Sequence, residues 1–324
     1  MWVLTIMQDM KYSPEFIFAV NRIFHDVEAE HYEKRHPEIF VDEISRWQRN
    51  IEKFLRKRSA PVVVLDVGSG TGFVPLQICP HLKQEDKFIC SDISEQMLLV
   101  CRKNILVKNF CCKLIFQKLE ESGFDMDPGS LDCITMNSVL HHVPNWAKFF
   151  GEINLMLKKD GCIIIGHEPS SLFFKTRLLM ANYQILNYFY HPRLVVSKFL
   201  RMVGLYSFVA RLVEPFFHDV ICEEVNKRLL KKGLISSSLS PGELTAIVDI
   251  HSPGAGGYYE NRGINVDEII KKFLPNFTIE HLETYNHLNE ISSYNRFTRW
   301  YDSLLRTRFP GLGATVFVVM RKIR

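Results

Sequence analysis

VVVLDVGSGTGFVPLQI, residues 62–78, runs four apolar residues into an acid, a valine and three alternating glycines. Val62, Val63, Val64 and Leu65 have the largely β-branched composition of a strand covered on both faces. Gly68, Gly70 and Gly72 must end it, because glycine alone turns the chain sharply and lets a ligand approach the backbone. From Phe73 the pattern is helical. A strand, a glycine turn and a helix leave unpaired N–H groups at the helix start, where polar or anionic ligand groups are favoured.

Working outward, KFICSDIS reads as a second strand ending at Asp92, followed by a helix from Glu95, which completes a βαβ unit. Further strands fit 113–117, 131–137 and 161–166, with a helical segment expected between each successive pair. That alternation predicts an α/β, doubly wound, mostly parallel sheet. Upstream, Phe16, Ile17, Val20, Ile23 and Phe24, then Ile44, Trp47, Ile51 and Leu55, recur at helical spacing. Downstream, 266–274 reads as a helix and 277–284 and 315–320 as two more strands. Between them, 170–262 is mostly helical in pattern and broken by Pro192, Pro215, Pro241 and Pro253. The expected organisation is an N-terminal helical segment at 1–58, a core at 59–169, a helical insertion at 170–262 and the rest of the sheet at 263–324.

At 324 residues and 47% hydrophobic content the chain can build a large core, and a net charge of +4 does not point to nucleic acid. Eight cysteines lie scattered without a CxxC pair, several inside apolar runs, as expected of a reduced cytoplasmic setting. The opening MWVLTIMQDMKY lacks a basic leader region, and no uncharged apolar run reaches the ~18 residues of a spanning helix.

The glycine spacing separates two ligand classes. A dinucleotide fingerprint requires G-x-G-x-x-G, whereas these glycines read G-x-G-x-G, which disfavours a nicotinamide dehydrogenase. Asp92 suits either class, since a carboxylate after the second strand can accept bonds from both ribose hydroxyls of an adenosine. LDVGSGTG, SDIS, LDCITMNSVLHHVPN and LKKDGCIIIGHEP together resemble the sequential motifs of class I S-adenosylmethionine-dependent methyltransferases, over roughly residues 60–169. The resemblance implies a seven-stranded Rossmann-like sheet and S-adenosylmethionine as cofactor. By position it implies that Asp66, Gly68, Ser69, Gly70 and Gly72 line the methionine side. Asp92 with Ile93 would take the ribose, the backbone of Leu119 or the side chain of Lys118 or Glu120 the adenine, and Asn137 would face the cofactor and acceptor cleft. Tyr32 and His36 resemble the aromatic N-terminal segment with which many members close over the cofactor.

Catalytic candidates are His141, His167 and Glu168. His167 and Glu168 follow the fifth strand at the carboxyl edge, where open α/β sheets place ligands. Glu168 suits a general base, an acceptor-positioning group or a helix cap. His141 and His142 are adjacent, so at most one is expected to face the cleft. No metal-ligand spacing stands out among the twelve histidines, and no metal is expected. Lys175, Arg177, Arg193, Lys198, Arg201 and Arg211 fall in 171–213, a stretch without an acid. Within it 193–213 reads as a basic amphipathic helix, suited to a lid over the acceptor or to peripheral contact with an anionic membrane. HSPGAGGYYENRG, 251–263, reads as an acceptor-side loop with Tyr258 and Tyr259 at its tip. The expected reaction is in-line methyl transfer to a small hydrophobic, aromatic or lipid-like acceptor, the protein supplying alignment and exclusion of water. The alternative is a cofactor-binding scaffold without transferase activity.

Overall fold

The computed structural model describes residues 12–37, 39–56, 61–190, 219–251 and 263–323. The helix read at 193–213 and the loop tyrosines 258 and 259 lie outside these residues. Four helices lead in: α1 (Pro14–Glu28), α2 (Tyr32–Arg35), α3 (Ile39–Asp42) and α4 (Ile44–Arg56). Ser13 starts α1 by accepting the Phe16 N–H, with Pro14 in the first turn where its missing N–H costs nothing.

The core follows as β1 (Val63–Val67), α5 (Phe73–Ile78), β2 (Lys87–Asp92), α6 (Glu95–Leu106), β3 (Lys113–Lys118), β4 (Leu131–Asn137), α7 (Trp146–Met156) and β5 (Leu157–Pro169). Then come α8 (Ser171–Lys175), α9 (Arg177–Tyr190), α10 (Val220–Lys231), α11 (Pro241–Val248), α12 (Val266–Phe273), β6 (Phe277–Tyr285), α13 (Arg296–Arg308) and β7 (Thr315–Lys322). The seven strands form one sheet in the order β3-β2-β1-β4-β5-β7-β6. All neighbours are parallel except that β7 runs antiparallel between β5 and β6. Strand order reverses between β1 and β4, so a cleft opens at their carboxyl ends.

Val64, Phe88, Cys133 and Ile164 pack beneath one face with α4 and α5, and Leu65, Ile134, Ile163 and Val318 beneath the other with α7 and α12. A separate cluster joins Ile17, Val20 and Ile23 of α1 to Val225 and Leu229 of α10 and Leu244 and Ile247 of α11. The eight cysteines are free thiols, seven of them buried.

Three expectations change. No helix links β3 to β4, because Gly123, Pro128 and Gly129 break residues 119–130. β5 extends well beyond 161–166, reading through LKKDG. The turn-like residues bulge out of the ladder: Leu131 pairs with Leu157 but Cys133 with Cys162, and Asp160 takes a left-handed φ of 62° within the bulge. α13, capped by the Asn295–Thr298 box, stands where no element was expected.

Candidate active site

The loop after β1 holds all three glycines at positive φ, 67° at Gly68, 51° at Gly70 and 103° at Gly72. Each serves a different purpose. A Cβ on Gly68 would stand 2.5 Å from Val139 Cγ2, so the loop presses directly on the turn after β4. A Cβ on Gly70 would meet nothing within 4 Å, and Gly70 lines a cavity of about 690 Å³. Gly72 lies against Cys101 and Ile105 of α6 and serves helix packing.

Asp92 closes the floor of that cavity. It is 6% exposed; its Oδ2 accepts the Gly70 N–H at 2.8 Å and its Oδ1 the Ser94 N–H at 2.9 Å. Burial raises its pKa, opposed by those two N–H groups and by His25. Each oxygen keeps a further acceptor site. Asp66, by contrast, stands beneath the loop, outside the cavity lining. Thr135 donates to it at 2.7 Å, and burial pushes its pKa up to about 7. Ser69 turns its hydroxyl back onto the Asp66 carbonyl at 3.2 Å. Asp66, Ser69 and Gly72 therefore shape the loop from behind, whereas Gly68, Gly70, Asp92, Ile93, Leu119 and Asn137 line the cavity. Asn137 is fixed by Trp47, whose indole N–H donates to its Oδ1 at 3.0 Å.

Beyond Asn137, Ser138 takes a φ of 58° and the chain enters a short 3-10 turn, Leu140–His142. Both histidines of that turn line the cavity, with ring centroids 4.0 Å apart, which corrects the expectation that only one would. A helical turn separates successive side chains by far less than the half-turn of a strand. Glu168 is fully buried and absent from the lining. Its Oε1 accepts the N–H groups of Val139 and Leu140 at 2.6 and 2.7 Å, and its Oε2 faces His141 Nδ1 at 2.8 Å. Since a carboxylate only accepts here, Nδ1 carries the proton and Nε2 presents a lone pair. Burial alone would lower the pKa of His141; the charge and hydrogen bond of Glu168, with Asp249, outweigh it and raise the value. His142 donates from Nδ1 to the Val248 carbonyl at 2.8 Å, and burial together with His141 and His25 drives its pKa well down. His167 lines the cavity at a φ of 53°, its Nδ1 3.2 Å from Glu43.

The opposite wall is built by α1, α2 and the end of α11. Glu28 is 1% exposed. Burial raises its pKa, but hydrogen bonds and charge from His25 and His36 overcome this and hold it at about 2. Arg35 closes the same cluster at 3.1 Å. Tyr32 and His36 meet on the cavity wall with ring centroids 4.7 Å apart and ring planes tilted by 41°. His25 reaches His142, ring centroids 5.1 Å apart. Asp249 stands 3.3 Å from His142 and 3.9 Å from His141. His141, His142 and Asp249 thus bring donor atoms within 4.8 Å of one another, close enough to share a metal ion, a grouping that no spacing in the sequence revealed. Sequence reasoning also passed over His25, Glu28 and Asp249. The i, i+3 pair His25 and Glu28 on an amphipathic helix was a legible signal; Asp249, more than 100 residues from His141, carried none.

Residues 65–163 match a family model described as a methyltransferase domain. The ubiquinone/menaquinone biosynthesis C-methyltransferase UbiE of Citrifermentans bemidjiense is 28% identical over 120 residues, 37% of this chain and 51% of that protein. UbiE of Francisella tularensis subsp. novicida is 26% identical over 102 residues, 32% of this chain and 41% of its own. The chain spans about half the length of the curated relatives it matches. Among solved structures, the trans-methyltransferase CalH in complex with SAH is 12% identical over 85% of this chain and 55% of its own, with a TM-score of 0.44. A methyltransferase from Bacillus halodurans is 13% identical over 85% of this chain and all of its own, at 0.40. Over residues 65–163 the chain is similar to S-adenosylmethionine-dependent methyltransferases. S-adenosylmethionine is their cofactor, and the residues present fit it: the open face of Gly70 leaves backbone bare to a ligand, and the buried Asp92 offers acceptors for paired ribose hydroxyls.

Proposed function

We propose that the protein transfers a methyl group from S-adenosylmethionine to a small acceptor with a largely apolar body, at an atom that must lose a proton, with His141 as general base. One observation carries the reading: the buried Glu168 carboxylate, already committed to three backbone N–H groups, orients His141 within the same cavity that Gly70 and Asp92 line. The bound cofactor supplies a methyl activated by positive sulfur. Asp92 and the bare backbone of Gly70 hold and orient its nucleoside end. Phe18, Phe24, Phe124 and Phe149 on the cavity wall exclude water and favour an apolar acceptor body. His141 Nε2 takes the acceptor's proton as the new bond to carbon or oxygen forms, and Glu168 stabilises the imidazolium that results. The curated relatives are C-methyltransferases by name, which favours an enolisable or phenol-activated carbon.

Supplying S-adenosylmethionine with a deuterated methyl group to the full chain, together with 1,3-diketones, quinols and simple amines, tests this by mass spectrometry. Transfer to the first two classes, lost in His141→Ala while S-adenosylhomocysteine still binds, is the expected result. Transfer to amines alone, or undiminished turnover in His141→Ala, would overturn the assignment of the base. Cofactor binding without transfer to any class would favour the scaffold reading.

A further inference from the structure

Away from the cavity, α9 and α13 lie side by side. Tyr301 donates its hydroxyl to Asn182 at 2.9 Å, Asn295 donates to the Tyr190 hydroxyl at 2.9 Å, and both helices bury one face in the cluster around Phe173, Leu179, Ile291 and Leu305. Their outward faces should be polar, and they are not. On α13, Phe297, Trp300 and Leu304 recur at i, i+3 and i+7 and are 54, 61 and 51% exposed. On α9, Leu178, Ile185 and Phe189 recur at i, i+7 and i+11 and are 56, 68 and 76% exposed. At ~100° per residue each set is one stripe, turned about a quarter to a third of the helix circumference away from the buried Thr298 and Leu305 on α13 and the buried Leu179 on α9.

The rim of the two stripes is cationic. Arg296, Arg299, Arg306 and Arg308 lie on α13, whose single acid, Asp302, is buried, accepts from Ser292 at 2.7 Å and stands 3.9 Å from Arg306. Arg177 opens α9, Lys175 precedes it, and the stretch 171–213 that contains both has no acid. Glu290 is the neighbouring carboxylate, hydrogen-bonded by Tyr183 at 3.2 Å. An exposed Trp and Phe stripe beside a second apolar stripe, both edged by arginine, has the chemistry of a helix face that lies in the headgroup region of an anionic bilayer. A water-facing helix would not expose these residues in register.

We propose that the α9–α13 face docks the protein on anionic membrane surfaces, with Phe297, Trp300 and Phe189 entering the interface and Arg296, Arg299 and Arg308 engaging lipid phosphates. The proposal goes beyond methyl transfer and does not depend on it.

Co-sedimentation of the full chain with phosphatidylcholine vesicles, with and without phosphatidylserine, tests it. We expect binding to the anionic vesicles only, weakening steeply with salt. Each Arg→Gln change at 296, 299 or 308 should lower vesicle affinity about fivefold, and the triple variant about a hundredfold. Phe297→Ser with Trp300→Ser should abolish binding while leaving the melting temperature and S-adenosylhomocysteine affinity unchanged, since neither side chain is buried. Trp300 emission should shift to the blue on binding, and Trp300→Phe should bind without that shift. Equal recovery in the supernatant with both vesicle types at low salt would overturn the proposal. So would a concentration-dependent dimer that Phe297→Ser with Trp300→Ser returns to monomer, which would give this face to a second copy of the chain.

Discussion

The floor and the wall of the cavity are built on opposite principles. The floor, from β1 to Asp92, is local: within 30 residues the chain supplies the strand, the glycine turn and the carboxylate, and Asp92 is tied back to Gly70 by one hydrogen bond. The wall is assembled from distant segments. α1 meets α10 and α11 about 200 residues later through Val20, Val225, Leu229 and Ile247, and that contact brings His25 and Asp249 to His141 and His142. Damage to the floor should change cofactor binding, and damage to the wall should change what is methylated and how fast.

The sharpest break is expected at the junction between them. His141→Ala should lower kcat by roughly 10²–10⁴-fold and leave S-adenosylhomocysteine affinity within about twofold by calorimetry, since general-base catalysis contributes about that much. The base acts in its neutral form and its pKa is raised, so kcat/KM should climb with pH through an inflection above the ordinary histidine value of ~6.5. Glu168→Gln should move that inflection down. The same pairing adds stability that is complete below the unfolded histidine's pKa and fades as pH rises through the folded one.

Leu229→Ala comes next. It deletes a fully buried side chain that joins α10 to α1, at a cost of about 2–5 kcal/mol. At temperatures where the chain remains folded, acceptor KM should rise while S-adenosylhomocysteine affinity holds. A matched loss of both would show that floor and wall fold as one unit. On the floor, Asp92→Asn should weaken S-adenosylhomocysteine by at least about tenfold, because hydrogen bonds to a charged group contribute about 1.5–3 kcal/mol each. Unchanged calorimetry would remove Asp92 from the cofactor site.

Two glycines separate fold from ligand within the floor itself. Gly68→Ala drives a methyl into Val139 and should lower the melting temperature, whereas Gly70→Ala points into open space. Its cost in stability should be confined to the left-handed backbone, about 1 kcal/mol, with a further loss in cofactor affinity. The smallest effect is expected from chelation: EDTA should leave turnover unchanged if His141 acts as a base. Activity lost to EDTA and restored by manganese or zinc would instead make His141, His142 and Asp249 a metal site.

The strands, the glycine turn and Asp92 were legible because each rests on short-range rules: β-branched runs, positive φ at glycine, an acid at a strand end. By the same rules Gly68, Gly70 and Gly72 look alike, yet tertiary packing gives one to Val139, one to the cavity and one to α6. Asp66 reads as a ligand residue next to the glycines, but the pleat turns it beneath the loop toward Thr135. His141 and Glu168 were visible as candidates, while their pairing awaited β4 and β5 lying side by side, where Asn137 meets Gly166 in register. The helical wall left only amphipathic stripes in the sequence. A stripe says that a face is buried, not against what, so the meeting of α1 with α10 and α11, and with it Asp249 beside the two histidines, was decided by tertiary structure alone.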